Sequence, residues 1–299
     1  MERDNRIEKQ MQIGIQINIV SGGYCRYGDE KYQKLREHGY SCVDIKMSDT
    51  ESWIYNSVQA EDMLLHEKKL ADDANIKINQ VHGPWRCPPK DATSEDREER
   101  MRKMETSIRL TAMLGCKNWV IHPLMPFGFE DKNVGVEQKT WDININFMKE
   151  LLKTAKKFDV TICIENMPFP DFSLAKPKDI LRLVKEINDE NLKICLDTGH
   201  AQVFDNELRL SDEVHRLGNY IKTLHVHDTK CGLDLHMMPF MGTIGWLEFV
   251  KSLKFIGYEG VFSLETPVPE LLSDSLFEKF SKMYCEVAKE IISLNCHKL

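Results

Sequence analysis

The sequence predicts a single-domain α/β protein with the (β/α)8 TIM barrel fold, and three observations lead to that prediction. Short β-branched and apolar runs alternate with longer amphipathic segments along the chain, which is typical of parallel strands joined by crossover helices. Eight such units fit within the 299 residues, as a closed barrel requires. No low-complexity segment or charge run divides them. We therefore expect a short tail at residues 1–10 and one barrel over residues 11–299.

The strands are predicted from apolar, β-branched runs that stop at turn-forming residues. The first run, Met11–Val20, alternates apolar residues with polar or small ones and ends at Ser21-Gly22-Gly23. The predicted strands cover residues 11–20, 42–47, 77–82, 118–122, 160–165, 192–197, 221–225 and 260–265.

The helices are predicted from amphipathic periodicity and charge spacing. The predicted helices cover residues 32–38, 61–74, 91–114, 141–158, 178–187, 207–217, 246–255 and 272–292. In the third helix, Asp91–Arg109 places Glu and Arg three and four residues apart, which is typical of an exposed helix. We expect a solvated face there, with Gly115 ending the helix.

Composition narrows the class of protein. The net charge of −7 gives no support for a broadly basic surface that coats nucleic acid. Nine cysteines without a Cys-x-x-Cys pair indicate reduced thiols. The polar first ten residues do not resemble a signal peptide, and no apolar run reaches the ~18 residues of a membrane helix. We expect a cytoplasmic protein outside the membrane.

Six predicted strands, from the third to the eighth, end in a residue that can ligate a metal ion. These residues are His82, His122, Glu165, Asp197, His225 and Glu265. In a barrel of this type the C-terminal strand ends converge on the active site. Imidazoles and carboxylates are also shared ligands of zinc, manganese and similar ions. The sequence therefore predicts a divalent metal site, with His200, Asp234 and His236 following nearby strands.

Each residue taken alone has a structural explanation. A histidine at a strand end is often a hydrogen-bonded structural residue. Asp197 and Glu265 could each cap a following helix. The complete set favours a metal site more strongly than any member does. Strand alternation places His225 and His227 on one side, so either could be a ligand.

The two glutamates indicate the chemistry. Glu165 and Glu265 end strands five and eight, roughly across the barrel from each other. A substrate between them would meet a carboxylate on each side, and either could transfer a proton next to a carbonyl group. A divalent cation would stabilise the resulting enediolate. This arrangement suits isomerisation or epimerisation.

Motifs in the predicted order extend over nearly the whole chain. They are Val81-His-Gly-Pro84, Ile121-His-Pro123, Cys163-Ile-Glu-Asn166, Cys195-Leu-Asp-Thr-Gly-His-Ala201, Leu224-His-Val-His-Asp228, Asp234-Leu-His236, Met241-Gly-Thr-Ile-Gly-Trp246 and Ser263-Leu-Glu-Thr266. On these motifs the chain resembles the xylose isomerase-like TIM barrel superfamily. That superfamily contains sugar-phosphate isomerases and epimerases and the metal-dependent apurinic-site endonucleases.

The resemblance to the isomerase and epimerase branch implies one divalent ion, such as Zn, Mn, Co or Mg. Its ligands would be Glu165, Asp197, His225 and Glu265. The family's His-x-x-Asp pattern selects His225 over His227, and the two glutamates would be the acid–base pair. The implied substrate is a small sugar of carbohydrate metabolism, free or phosphorylated. The expected substrate contacts are His82, His122, His200, His227, Trp85 and Lys230.

The endonuclease branch implies three zinc ions and abasic DNA as the substrate. Its ligand set would be His82, His122, Glu165, Asp197, His200, His225, Asp234, His236 and Glu265. Several positions depart from the nuclease pattern: Asn166–Pro170 replaces a small Gly-rich turn, Gly199 replaces the usual Cys, and Leu235 replaces a basic residue. These departures favour a sugar enzyme that does not bind nucleic acid. The sequence does not determine the oligomeric state, and both a monomer and a homo-oligomer are compatible with it.

Overall fold

Eight parallel strands form the barrel wall. The computed structural model describes residues 11–47, 53–55, 59–85, 91–204 and 209–294. The strands are β1 Gln12–Asn18, β2 Cys42–Lys46, β3 Lys77–His82, β4 Asn118–Ile121, β5 Thr161–Glu165, β6 Leu192–Asp197, β7 Ile221–His225 and β8 Val261–Leu264. They follow one another around the sheet in chain order, and β8 pairs with β1. Every predicted strand overlaps an observed one.

A short bridge at the C-terminal ends of β7 and β8 completes the barrel. Val226 pairs in parallel with Leu264. The Val226 amide donates to Ser263 O at 2.8 Å, and the Glu265 amide donates to Val226 O at 2.9 Å. The bridge therefore places Glu265 beside the end of β7. The prediction of a single-domain (β/α)8 TIM barrel is confirmed, although β7 and β8 join only through this bridge.

The helices lie in the connections between strands. They are α1 Lys31–Glu37, α2 Gln59–Asp73, α3 Ser94–Met113, α4 Glu137–Lys157, α5 Pro177–Ile187, α6 Thr198–Gln202, α7 Leu210–Leu217, α8 Trp246–Phe255 and α9 Asp274–Ser293. The short helix α6 was not predicted, because its five residues are too few for a periodic pattern. The predicted tail at 1–10 and the predicted helix start at Glu207 lie outside the described residues.

Helix α3 has the expected solvated face, with Glu95, Glu98 and Arg102 exposed. Two of its basic residues, Arg100 and Lys103, are buried instead. Arg100 Nε lies 3.6 Å from Asp91 Oδ1, and Lys103 pairs with Glu99 at 2.7 Å. Sequence spacing does not show that the neighbouring elements cover this side of the helix.

Strand alternation divides the apolar residues into two sets. Trp119, Ile164 and Leu196 belong to the main core, which also includes the buried helix residues. Val120, Cys163 and Cys195 form a separate buried cluster. These three stand two residues before His122, Glu165 and Asp197, so they share the face of those residues. Small apolar side chains thus fill the barrel beneath the ionisable strand ends.

Candidate metal centre

Ten ionisable side chains gather at the C-terminal end of the barrel in three groups that could each hold a metal ion. The three-donor group is His82, His122 and Glu165. The central group is Glu165, Asp197, His225 and Glu265. The loop group is His200, His227, Asp234 and His236. Within each group one donor atom per residue lies within 4.8 Å of the others. All nine residues of the implied three-zinc set are included, and His227 is added.

The central group combines the ends of four consecutive strands. His225 Nδ1 lies 2.9 Å from Glu165 Oε1 and 3.3 Å from Glu265 Oε2. Two ligands of a tetrahedral zinc ion, bound at about 2.0–2.1 Å, stand about 3.3 Å apart. Glu265 Oε2 is buried and accepts no hydrogen bond from the described residues. An uncompensated carboxylate oxygen at this spacing fits a divalent cation.

The three-donor group forms a nearly equilateral triangle. His82 Nε2 lies 3.2 Å from His122 Nε2, and each nitrogen lies 3.3 Å from Glu165 Oε2. The His82 ring donates from Nδ1 to Gly83 O at 2.9 Å, which leaves Nε2 free to bind a cation. Glu165 serves two groups because Oε1 faces His225 and Oε2 faces the two histidines. Three protein donors leave one tetrahedral position open.

The loop group joins the end of the barrel to the connection that follows β7. His200 lies in α6, whereas Asp234 and His236 lie in the irregular segment between β7 and α8. Asp234 Oδ2 is 3.4 Å from His200 Nε2, and Asp234 Oδ1 is 3.4 Å from His236 Nε2. His236 has φ +44, a left-handed conformation that is uncommon for a side-chain-bearing residue.

Asp44 supports the central group from β2, and the sequence reasoning missed it. The His225 ring donates from Nε2 to Asp44 Oδ2 at 3.0 Å, which turns Nδ1 toward the two glutamates. Amides of Gln16 and Gln80 also donate to Asp44 Oδ2, at 3.1 and 3.2 Å. A carboxylate behind a ligating histidine fixes the ring orientation and makes the ring a stronger ligand. A fully buried Asp within an apolar strand is the signal that could have identified it.

The Asp of the His-x-x-Asp motif has a structural task. Asp228 Oδ1 accepts hydrogen bonds from the amides of Thr229 and Ile244, and Oδ2 accepts one from Trp246 Nε1. Its backbone also exchanges two hydrogen bonds with Met237. A side chain on Gly242 would lie 2.2 Å from Asp228 Oδ1. Asp228 thereby holds both ends of the segment that carries Asp234 and His236.

A cavity of about 170 Å³ opens above the three groups. Its lining combines metal-ligand candidates with an apolar wall. The lining residues are Lys46, His82, Trp85, His122, Met125, Phe129, Glu165, Met167, Pro168, Phe169, His200, Asp234, His236 and Glu265. The Lys46 ammonium lies 5.3 Å from the centroid of the Trp85 ring. The sequence reasoning did not single out Lys46, because a lysine ending a strand is usually solvated.

Burial and neighbouring charges oppose each other in setting the pKa values of these groups. Burial raises the pKa of Glu165, but His225 and His122 outweigh that effect and hold it well below its ordinary value. Glu265 and Asp234 likewise have lowered pKa values, because nearby imidazoles outweigh burial. The carboxylates are therefore ionised at neutral pH and can act as ligands or as bases.

The histidines do not share one protonation state. Burial lowers the pKa of His200, but Asp197, Asp234 and Glu165 outweigh it and raise the pKa to about 10. Asp234 and Glu265 raise the pKa of His236 to about 9 against the same opposing effect of burial. Burial dominates at His122 and lowers its pKa to about 4. In the metal-free protein, protons therefore occupy part of the loop group, and a cation would displace them.

The expected substrate contacts occupy different surroundings. Trp85, His82, His122 and His200 line the cavity. His227 is fully buried and does not line it. Lys230 is exposed and also stands apart from this lining. Asp197 Oδ1 accepts the His200 amide at 2.6 Å and caps α6, as considered from the sequence. The same residue belongs to the central group of candidate ligands.

The family model of the xylose isomerase-like TIM barrel matches residues 32–282. The chain belongs to the xylose isomerase-like TIM barrel family. Its curated relatives have more than one activity. D-psicose 3-epimerase of Ruminiclostridium cellulolyticum is 22% identical over 241 residues, covering 79% of this chain and 78% of the relative. Probable endonuclease 4 of Nitrosopumilus maritimus is 26% identical over 294 residues, which cover 91% of this chain and 98% of the relative.

Solved structures of family members share the fold. A D-psicose 3-epimerase from Clostridium cellulolyticum H10, solved with D-tagatose, has a TM-score of 0.74 at 16% identity and covers 95% of this chain and 100% of its own. The IOLI protein, solved with a bound zinc atom, has a TM-score of 0.70 at 18% identity. The match covers 94% of this chain and 96% of the IOLI chain. The structures that share this fold thus include a sugar epimerase and a protein solved with zinc. Among the helices of the described residues, none is long and apolar enough to cross a membrane.

Proposed function

We propose that this family member is a divalent-cation-dependent isomerase or epimerase that acts on a small sugar or sugar phosphate. The observation that carries the proposal is the position of Glu165 and Glu265. Both carboxylates line the cavity, both have lowered pKa values, and both face His225 Nδ1. The likeness to D-psicose 3-epimerase supports the substrate class.

Epimerisation by proton transfer needs one acid–base group on each side of the reacting carbon. One glutamate removes the proton from the carbon next to the carbonyl group, and the electron pair moves into an enediolate. A proton returned to the same carbon from the other face gives the epimer, whereas return to the neighbouring carbon gives the isomer. A divalent cation in the central group would supply positive charge for the developing enediolate.

Other chain residues place the two carboxylates for this task. The Gln16 side-chain amide donates to Glu265 Oε1 at 2.9 Å. This leaves Glu265 Oε2 without a hydrogen-bond partner among the described residues. His225 Nδ1 lies between the two carboxylates, and Asp44 fixes its ring. Both carboxylates are therefore held beside the His225 ring, where they can face a substrate in the cavity.

The cavity lining fits a small molecule better than a polymer. Its volume of about 170 Å³ lies below the ~300–1,000 Å³ typical of drug-sized ligand sites. Trp85, Phe129 and Phe169 present an apolar wall on which the C–H face of a sugar can pack. Within the described lining, Lys46 is the only lysine or arginine.

Solvent exchange tests the proposal directly. The protein loaded with Mn²⁺, Co²⁺ or Zn²⁺ is incubated in D₂O with a panel of free and phosphorylated ketoses and aldoses, followed by proton NMR. We expect the NMR signal of one proton to disappear as deuterium replaces it. This proton is bound to the carbon next to the carbonyl group. Glu165→Gln and Glu265→Gln should abolish the exchange, while Glu259→Gln, an exposed residue before β8, should not. Absence of exchange across the panel would overturn the proposal.

Zinc-dependent cleavage of abasic DNA is the second candidate function. It is favoured by the complete three-zinc ligand set in the three groups and by the endonuclease relative. The cavity lining weighs against it, because DNA binding depends on several Lys or Arg contacts to phosphates. A duplex with one abasic site separates the two candidates: cleavage by the zinc-loaded protein would favour the nuclease, and an intact duplex would favour the sugar enzyme.

A further inference from the structure

The loop group contains one more imidazole than the implied three-zinc ligand set. His227 Nε2 lies 3.9 Å from Asp234 Oδ1. The same oxygen also faces His236 Nε2, at 3.4 Å. His227 and His236 stack with their ring centroids 4.1 Å apart. Three imidazoles therefore surround a single carboxylate at separations close to those of ligands on one ion.

The Nδ1 atoms of these three rings all face backbone carbonyls. His200 donates from Nδ1 to Asn166 O at 2.9 Å, and His236 donates from Nδ1 to Glu265 O at 2.9 Å. His227 Nδ1 faces Asp228 O at 3.4 Å. Metal-ligating histidines are typically held in this way, because the occupied Nδ1 leaves Nε2 for the ion. The Nε2 atoms of His200 and His236 each lie 3.4 Å from an Asp234 oxygen, and that of His227 lies between Asp234 and Asp197.

The position of His227 is built into the fold. Its amide donates to Thr198 Oγ1 at 3.0 Å, and its carbonyl accepts from the same hydroxyl at 2.7 Å. A Cβ on Gly199 would lie 1.9 Å from the His227 ring. The glycine that departs from the nuclease pattern is therefore the residue that makes room for this imidazole. His227 is also fully buried, so it has no access to a substrate in the cavity.

We propose that His227 is the fourth protein ligand of a cation in the loop group and that it closes the coordination of that ion. His200, Asp234 and His236 would supply the other three ligands. With the buried His227 as its fourth ligand, this ion would have no tetrahedral position left for a substrate, as in structural zinc sites. The ion would fasten the segment between β7 and α8 to the barrel end. The proposal does not depend on which reaction the protein catalyses.

The competing role of His227 is a hydrogen bond to the central group. His227 Nε2 lies 3.0 Å from Asp197 Oδ1, so the ring could donate to that ligand instead of binding an ion. His227→Asn separates the two roles, because asparagine retains an N–H donor for Asp197 but has no imidazole nitrogen. His215→Asn is the matched control, since His215 lies exposed on α7 against Phe255.

The experiment uses the metal-free full chain, titrated with Zn²⁺ against a chromophoric chelator and, separately, with Co²⁺ while visible absorption is recorded. We expect the wild type and His215→Asn to retain one tightly held ion with the intense absorption of tetrahedral cobalt. His227→Asn should weaken that ion about 100-fold and remove the part of the tetrahedral absorption that belongs to it. Unchanged affinity, ion count and bands would overturn the proposal.

A second variant guards against misfolding of His227→Asn, which circular dichroism would reveal. Gly199→Ala keeps every donor but pushes the His227 ring away. We expect it to weaken the same ion by about 10-fold and to alter the cobalt bands, with the remaining ions unaffected. Unchanged binding in a folded Gly199→Ala protein would count against His227 as a ligand.

Discussion

The three-donor group and the loop group use the same side-chain types at the same end of the barrel, but they differ in donor number and access. In the three-donor group, two histidines and Glu165 all line the cavity. In the loop group, the fourth donor, His227, is buried behind the other three. An open position on the cavity side suits substrate binding, whereas a completed donor set suits a structural ion. The buried fourth donor, more than the residue types, thus distinguishes the loop group from the three-donor group.

Glu165→Gln should produce the largest effect, because Glu165 serves the three-donor group and the central group but not the loop group. We expect two ions to be lost and one to remain, with solvent exchange reduced by about 10³-fold or more. Metal content after dialysis and the NMR exchange rate measure the two effects. Loss of the loop-group ion as well would show that the groups are not independent.

Asp44→Asn should have a smaller effect, confined to the central group. The substitution replaces the carboxylate that orients His225, so the affinity of the central ion should fall about 10–100-fold. The loop-group ion should bind as before in the chelator competition. Asp62→Asn, on the exposed side of α2, is the control. An equal weakening of all ions would mean that Asp44 only supports the fold.

The pH dependence of stability should also distinguish the metal-free protein from the loaded one. His200 and His236 have pKa values of about 10 and 9, above the ordinary 6.5. Between pH 6.5 and 10 the folded metal-free chain therefore binds more protons than the unfolded chain, so its stability falls as the pH rises. We expect the Tm to drop by roughly 5 °C over this interval.

In the zinc-loaded protein the ion replaces those protons, and its stabilising effect should grow with pH over the same interval. Scanning fluorimetry at several pH values, with and without Zn²⁺, provides the measurement. A metal-free protein whose Tm rises steadily from pH 7 to pH 10 would contradict the assigned charges of the loop group.

Lys46→Met should have the smallest effect, on the cavity wall beside the three-donor group. Loss of the only lysine or arginine in the described lining should raise KM about fivefold for a phosphorylated sugar, consistent with one partly solvated charge contact. The KM for a free sugar should change less, and kcat should be unchanged. Steady-state kinetics on a matched pair of substrates tests this. Equal changes for both substrates would exclude a phosphate contact at Lys46.

Strand ends were the most predictable part of the site. The six strand-end residues from His82 to Glu265 could be found from sequence, because a parallel barrel brings all C-terminal strand ends together. Asp44 and Gln16 were missed because they lie inside strands, where position alone does not reveal a polar layer. Lys46 was missed because a strand-end lysine normally extends into solvent.

The division of the donors into three groups was beyond the sequence. Glu165 turns one carboxylate oxygen to His225 and the other to His82 and His122. Such sharing depends on side-chain rotamers and on the register of β3, β4, β5 and β7. The role of His227 was likewise undecided, because alternation placed it beside His225 without showing that its Nε2 lies between Asp197 and Asp234.

The sequence by itself determined the fold class and the ring of candidate ligands, because the order of strands and helices and the types of the strand-end residues are local properties of the chain. Only the tertiary structure decided which donors share an ion, which face the cavity and which are buried. Those assignments depend on distances of a few ångströms between residues that are up to 249 positions apart, such as Gln16 and Glu265. The β7–β8 bridge and the loop held by Asp228 set those distances.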